Sequence, residues 1–110
     1  AYQLCYDTFQ FFRCGDTQLF PERIGLAHMS GISRSDLAPG ELTEPDRELI
    51  FVGDRVGNIA QLRALQAAGY RGFVSMEPFS PEVQRDPRLG EHLRASLDYV
   101  ASLLAPEAAA

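Results

Sequence analysis

Three residues could do chemistry together: Asp7, His28 and Glu77. Each stands at the C-terminal end of a short apolar run, in "YQLCYD", "RIGLAHMS" and "GFVSME". Two carboxylates and one imidazole form a donor set for a divalent cation that polarises oxygen atoms, such as Mn²⁺, Mg²⁺ or Co²⁺, and zinc also fits. Each residue alone has an ordinary reading as well. A strand-end Asp or His is commonly solvated or hydrogen-bonded locally, and a strand such as the one in "GYRGFVSMEPFSPE" often stops at a charge on reaching water. Parity is what raises them as a set. In each run the alternation of side chains can put the chemical residue on the same face.

The elements that must position them follow from pattern. The runs at 2–7, 23–30 and 72–77 have strand length and nearby turn signals. Between the second and third runs, "GISRSDLAPGELTEPDRELIFVGDRVG" is loop, with one short extended piece at 48–52. Asn58 is placed to cap a helix through "NIAQLRALQAAGY", whose Ile59, Leu62, Leu65 and Ala68 form an apolar stripe and whose Gly69 ends it. A last helix is predicted from about Leu89 to Leu104, with Leu93, Leu97, Val100 and Leu104 on one face. The segment "CGDTQLF" has room for one turn at most.

Strand, loop, helix, strand, helix implies right-handed crossovers and a parallel α/β sheet. Helices from this chain could cover only one face. The other would show Gln3, Cys5, Asp7, Ile24, Leu26, His28, Phe73, Ser75 and Glu77, a mixture that needs a cover. A closed barrel supplies one, and in parallel α/β proteins ligand sites gather beyond the carboxyl ends of the strands.

Composition narrows the function classes. The 110 residues are 45% hydrophobic and 23% charged, which suits one small globular domain. A net charge of −5 disfavours nucleic-acid binding through phosphate neutralisation. No apolar run has membrane-spanning length and no secretory signal is visible, so a cytoplasmic location and no membrane partner are expected. All ten basic residues are arginine, which removes lysine Schiff-base chemistry. Cys5 and Cys14 form no CxxC motif and read as free thiols. The sequence opens at Ala1 inside a strand-like run, which suggests a piece of something longer, and "APEAAA" reads as a frayed C-terminus.

Together, "YDTFQFF", "IGLAHMSGI", "GELTEPDREL", "GDRVGN" and "GYRGFVSMEPFSPE" resemble the last three strand–helix units of the xylose isomerase-like TIM barrels. That superfamily includes sugar phosphate isomerases and epimerases, and the chain looks most like its inosose isomerase-type members. The resemblance covers nearly the whole chain but only the C-terminal three-eighths of a (β/α)₈ barrel, so residues 1–110 are expected to be the C-terminal portion of a single barrel domain. It implies that Asp7, His28 and Glu77 are three of four metal ligands, the fourth being a glutamate from an earlier strand. It also implies that Glu77 is one of two carboxylates that move a proton between carbons of a small polyol or ketose through an enediolate. Gln10 and Arg47 match substrate-contacting positions. Arg47 could fork hydrogen bonds to substrate oxygens, or be a surface arginine paired with Glu44 or Asp46.

The chain departs from the family at two positions. Gln10 stands where relatives carry a histidine, and Asp46 replaces the histidine before the loop arginine. Glutamine donates a hydrogen bond but relays no proton near neutral pH. The missing histidines also weaken an endonuclease IV-type DNA-repair reading. The competing class is non-catalytic, a truncated barrel segment that binds a sugar or a partner, or self-associates through its open face. The isolated chain, lacking one ligand and one carboxylate, is expected to be inactive.

Overall fold

The computed structural model describes residues 3–105. Three parallel strands, β1 (Leu4–Asp7), β2 (Ile24–Met29) and β3 (Val74–Met76), lie side by side in chain order. They pair so that Asp7 faces His28 and His28 faces Ser75 across the sheet. Helix α1 (Thr8–Arg13) leaves β1 at once, α2 (Asn58–Ala67) precedes β3, α3 (Pro81–Gln84) is a single turn, and α4 (Leu89–Leu104) closes the described chain. The α/β class, the parallel sheet and the limits of the last helix agree with the sequence reading. The predicted strand residue Tyr2 and the tail after Ala105 lie outside the described residues.

Helices cover one face of the sheet. Tyr6, Ala27 and Met29 from the strands meet Leu62 and Leu65 of α2 and Val100 of α4 in a continuous apolar core. On α4 the buried positions are Ser96 and Val100, while Leu97 is exposed, so the stripe is rotated from the one predicted. The cause is polar. Ser96 Oγ donates to Ile50 O at 2.8 Å and accepts from Ile50 N at 2.9 Å. The extended piece expected at 48–52 therefore forms no strand. Its ladder-like contact is the bridge between Gly31 and Glu48, and Ile50 is satisfied by a helix side chain instead.

The opposite face is open. Cys5 and Ser75 are exposed, and Phe73 is 83% exposed. Ile24, which simple alternation places here, is buried on the helix side with Tyr6. The register explains it: Leu4 pairs with Ile24 and Cys5 with Leu26, so β2 carries one extra residue, Gly25, in a bulge. A Cβ at Gly25 would stand 2.4 Å from Gln3 Oε1, so a larger residue there would displace the exposed Gln3 side chain.

Two local features matter for the site. The aromatic run "TFQFFR" forms α1, because Asp7 accepts hydrogen bonds from Phe9 N (3.0 Å) and Gln10 N (3.2 Å) and so caps it. Asn58 does not cap α2. Gly57 holds that position at φ 73°, a left-handed conformation, and Asp54 accepts the Asn58 N–H at 3.1 Å. Asn58 is instead buried, its side-chain amide donating to Ser30 O and Asp54 Oδ2, both at 2.8 Å.

Candidate metal centre

Asp7, His28 and Glu77 come together at the C-terminal rim of the sheet, on its open face. One donor atom from each lies within 4.8 Å of the other two. Every one is placed by backbone geometry. Asp7 ends β1 and is fixed by its capping bonds to α1. His28 sits between Asp7 and Ser75 in the ladder. Glu77 extends β3 by one residue, its N–H donating to Met29 O at 2.8 Å. All three side chains are partly exposed, Asp7 the least.

The donor set has the character of a cation site. His28 Nδ1 pairs with Glu77 Oε2, a buried oxygen to which no other hydrogen-bond donor points. An imidazole nitrogen and a carboxylate oxygen in contact share something positive, either a proton or a metal ion. Cys5 stands one step down β1 on the same face, with Sγ 3.6 Å from His28 Nδ1. Burial pushes its thiol above the ordinary range, and the charges of Asp7 and Glu77 push it further. The rim thus carries negative potential into an uncovered space.

Arg47 is not where a substrate-binding arginine would be expected. It is 2% exposed. Its Nε donates to Ser30 Oγ at 2.7 Å, one terminal nitrogen to Glu44 Oε2 at 3.0 Å, and the other to Asp7 Oδ2 at 2.9 Å and Oδ1 at 3.1 Å. The guanidinium lies over the rings of Phe9 (4.9 Å) and Phe79 (5.3 Å). The surface pairing with Glu44 or Asp46 is half right: Glu44 is a partner, while Asp46 binds Arg34. Gln10 is half-buried, and its amide donates to Glu44 Oε1 at 2.8 Å, which links it through Glu44 to Arg47.

Of the phenylalanines of α1, Phe9 is fully buried with Ile32, Leu42 and Val56, and Phe12 packs on that cluster. Phe11 lines a cleft of about 400 Å³ beside β1, together with Leu4, Cys5, Asp7 and Phe20. This is the side that the short "CGDTQLF" segment leaves thinly covered. Ser30 and Phe79 were missed by sequence reasoning, since a serine after a strand and a phenylalanine after a proline carry no signal of a shared arginine.

No family model and no curated protein matches the sequence. Solved structures do. A xylose isomerase domain-containing protein from Salmonella typhimurium LT2 superposes with a TM-score of 0.79 at 24% identity, over 93% of this chain and 39% of that one. The fold is that of the xylose isomerase-like superfamily. The IOLI protein, solved with a bound zinc atom, superposes with a TM-score of 0.75 at 25% identity, over 93% of this chain and 37% of that one. The chain therefore spans about two-fifths of the length of each, and its three-stranded sheet matches part of the xylose isomerase-like fold. Among the described residues no helix is long and apolar enough to cross a membrane.

Proposed function

We propose that this chain supplies the metal-binding rim of a divalent-metal-dependent sugar or keto-inositol isomerase or epimerase. The observation that carries the reading is the convergence of Asp7, His28 and Glu77, from three separate strands, to within 4.8 Å. The zinc atom in the similar IOLI protein adds support, because a neutral imidazole and carboxylates are ordinary zinc donors. A divalent cation held there would draw electron density from substrate carbonyl and hydroxyl oxygens and acidify the hydrogen on the carbon between them.

This chain's own residues would then do the following. Asp7 and His28 hold the cation in place. Glu77, whose buried oxygen meets His28, holds the cation and takes and returns the proton on the substrate carbon, giving an enediolate and then the isomer. Gln10, at the mouth beside Asp7, is the residue in reach of a substrate hydroxyl. A fourth ligand and a second carboxylate would come from barrel strands outside these 110 residues, which would also cover Cys5, Phe73 and Ser75. The fitting substrate is a small polyol or ketose.

The test is metal uptake by this chain and by Glu77→Gln, measured by titration with Zn²⁺ or Mn²⁺. One ion per chain is expected, with binding weakened about tenfold or more in the variant. Equal uptake by both would end the assignment. For the reaction, the complete barrel should exchange solvent deuterium into the carbon next to the ketone of its substrate, and its Glu77→Gln variant should not.

A further inference from the structure

We propose that Arg47 is a positioning residue: it holds Asp7 so that a single carboxylate oxygen, Oδ2, is left to take a cation beside His28 and Glu77. The inference rests on the metal-centre reading above and assigns Arg47 a task other than substrate contact.

The hydrogen bonds on Asp7 are uneven. Oδ1 accepts from Phe9 N, Gln10 N and Arg47 at 3.0, 3.2 and 3.1 Å, while Oδ2 accepts from Arg47 alone at 2.9 Å. A carboxylate oxygen offers about two lone-pair directions. Oδ1 is therefore saturated, and Oδ2 keeps one direction free. Such an arrangement makes Asp7 a one-oxygen ligand with a fixed approach.

Arg47 can impose this because it is itself immobilised from every strand end. Ser30 lies just past β2 and grips Nε at 2.7 Å. Phe9, from the start of α1, and Phe79, just past β3, flank the guanidinium. The backbone joins in: Arg47 O accepts from Ser80 N at 2.8 Å, and Arg47 N donates to Glu44 O at 3.1 Å. The ends of all three ligand-bearing strands thus meet on one planar cation. A lysine would keep the charge but could not point donors toward Ser30, Glu44 and Asp7 from one plane. The groups that support a metal ligand commonly decide how well the metal is held.

The experiment is a Co²⁺ titration of the whole chain, followed by visible absorption, for wild type, Arg47→Lys and Glu77→Gln, with folding checked by circular dichroism. Arg47→Lys, folded, is expected to bind Co²⁺ about 10–100-fold more weakly and with a changed absorption envelope, because Asp7 is free to turn. A purely stabilising buried ion pair would move neither the affinity nor the spectrum of a chain that remains folded. A folded Arg47→Lys chain with wild-type affinity and spectrum overturns the proposal, while loss of binding in Glu77→Gln alone leaves the metal centre standing. Wild type that takes up no Co²⁺ overturns both. Should Arg47→Lys fail to fold, Ser30→Ala, which removes a contact to Arg47 but touches neither Asp7 nor the metal ion, decides the matter by the same two readings.

Discussion

Glu77→Gln should make the metal-free chain less stable, and the metal-loaded chain less stable still. In the wild type, Glu77 Oε2 is buried against His28 Nδ1, and without a metal the proton between them makes a charge-assisted hydrogen bond. Hydrogen bonds to charged groups contribute about 1.5–3 kcal/mol, against about 1 kcal/mol for neutral ones. Because the Glu77 side chain is still one-third exposed, the lower end applies, and the neutral amide gives up about 0.5–1 kcal/mol. For a domain of this size, each kcal/mol moves the midpoint of thermal unfolding by roughly 4–8 °C. The assay is urea and thermal unfolding with EDTA, then with excess Zn²⁺. A metal at 100 times its dissociation constant adds about 2.7 kcal/mol to the form that binds it, and a variant that binds tenfold more weakly gains about 1.4 kcal/mol at the same zinc concentration. The gap between the two proteins should therefore widen by about 1.3 kcal/mol when zinc is added. A Glu77→Gln chain as stable as wild type in EDTA would refute the hydrogen bond between Glu77 and His28, and a gap that zinc leaves unchanged would refute the metal site.

Three further outcomes follow from the structure. Ser96→Ala orphans both Ile50 N and Ile50 O, which are buried beneath α4, and should cost about 2–4 kcal/mol in urea unfolding; a loss under half of that would mean Ile50 finds other partners. Asp46 is held below the ordinary carboxylate range, first by the Thr43 N–H and then by Arg34. Its lowered folded-state value gives stability that is present above about pH 4 and lost as pH falls, so Asp46→Asn should flatten the acid limb of a stability–pH curve, and an unchanged limb would contradict it. Burial, aided by the charges of Asp16 and Asp7, raises the Tyr6 phenol. Its contribution is full below about pH 10 and lost above it, so absorbance at alkaline pH should show a late-ionising phenol that Tyr6→Phe removes.

What the sequence could reveal was set by range. Strand alternation is local, so it placed Asp7, His28 and Glu77 on one face, and the equally local helical period and stop signals located α4 and the glycine that ends α2. The bulge at Gly25 and the cap at Gly57 escaped because both depend on neighbours far along the chain: Leu4 and Cys5 define the first, and Asp54 takes over the capping of Asn58. Arg47 was visible as an arginine near acids. Its burial was not, since Ser30, Phe9 and Phe79 approach it from 17, 38 and 32 positions away. Leu97 stood out as the larger apolar residue on α4, but a serine that serves two backbone groups decided which side of the helix turned inward.

The position of the bulge has a consequence for how this sheet tolerates change in length. A one-residue slip in a strand exchanges its faces, and β2 already contains one such slip, at its entrance. Removing Gly25 would regularise the first pair and leave Ile24 on the helix side opposite Leu4, while Leu26, Ala27 and His28 would keep their opposite numbers on β1. Removing a residue between Gly25 and His28 would do the reverse, sending the imidazole among Leu62 and Leu65 and setting Ala27 or Met29 in the mouth. The entrance of β2 can absorb an insertion or a loss, and its exit cannot.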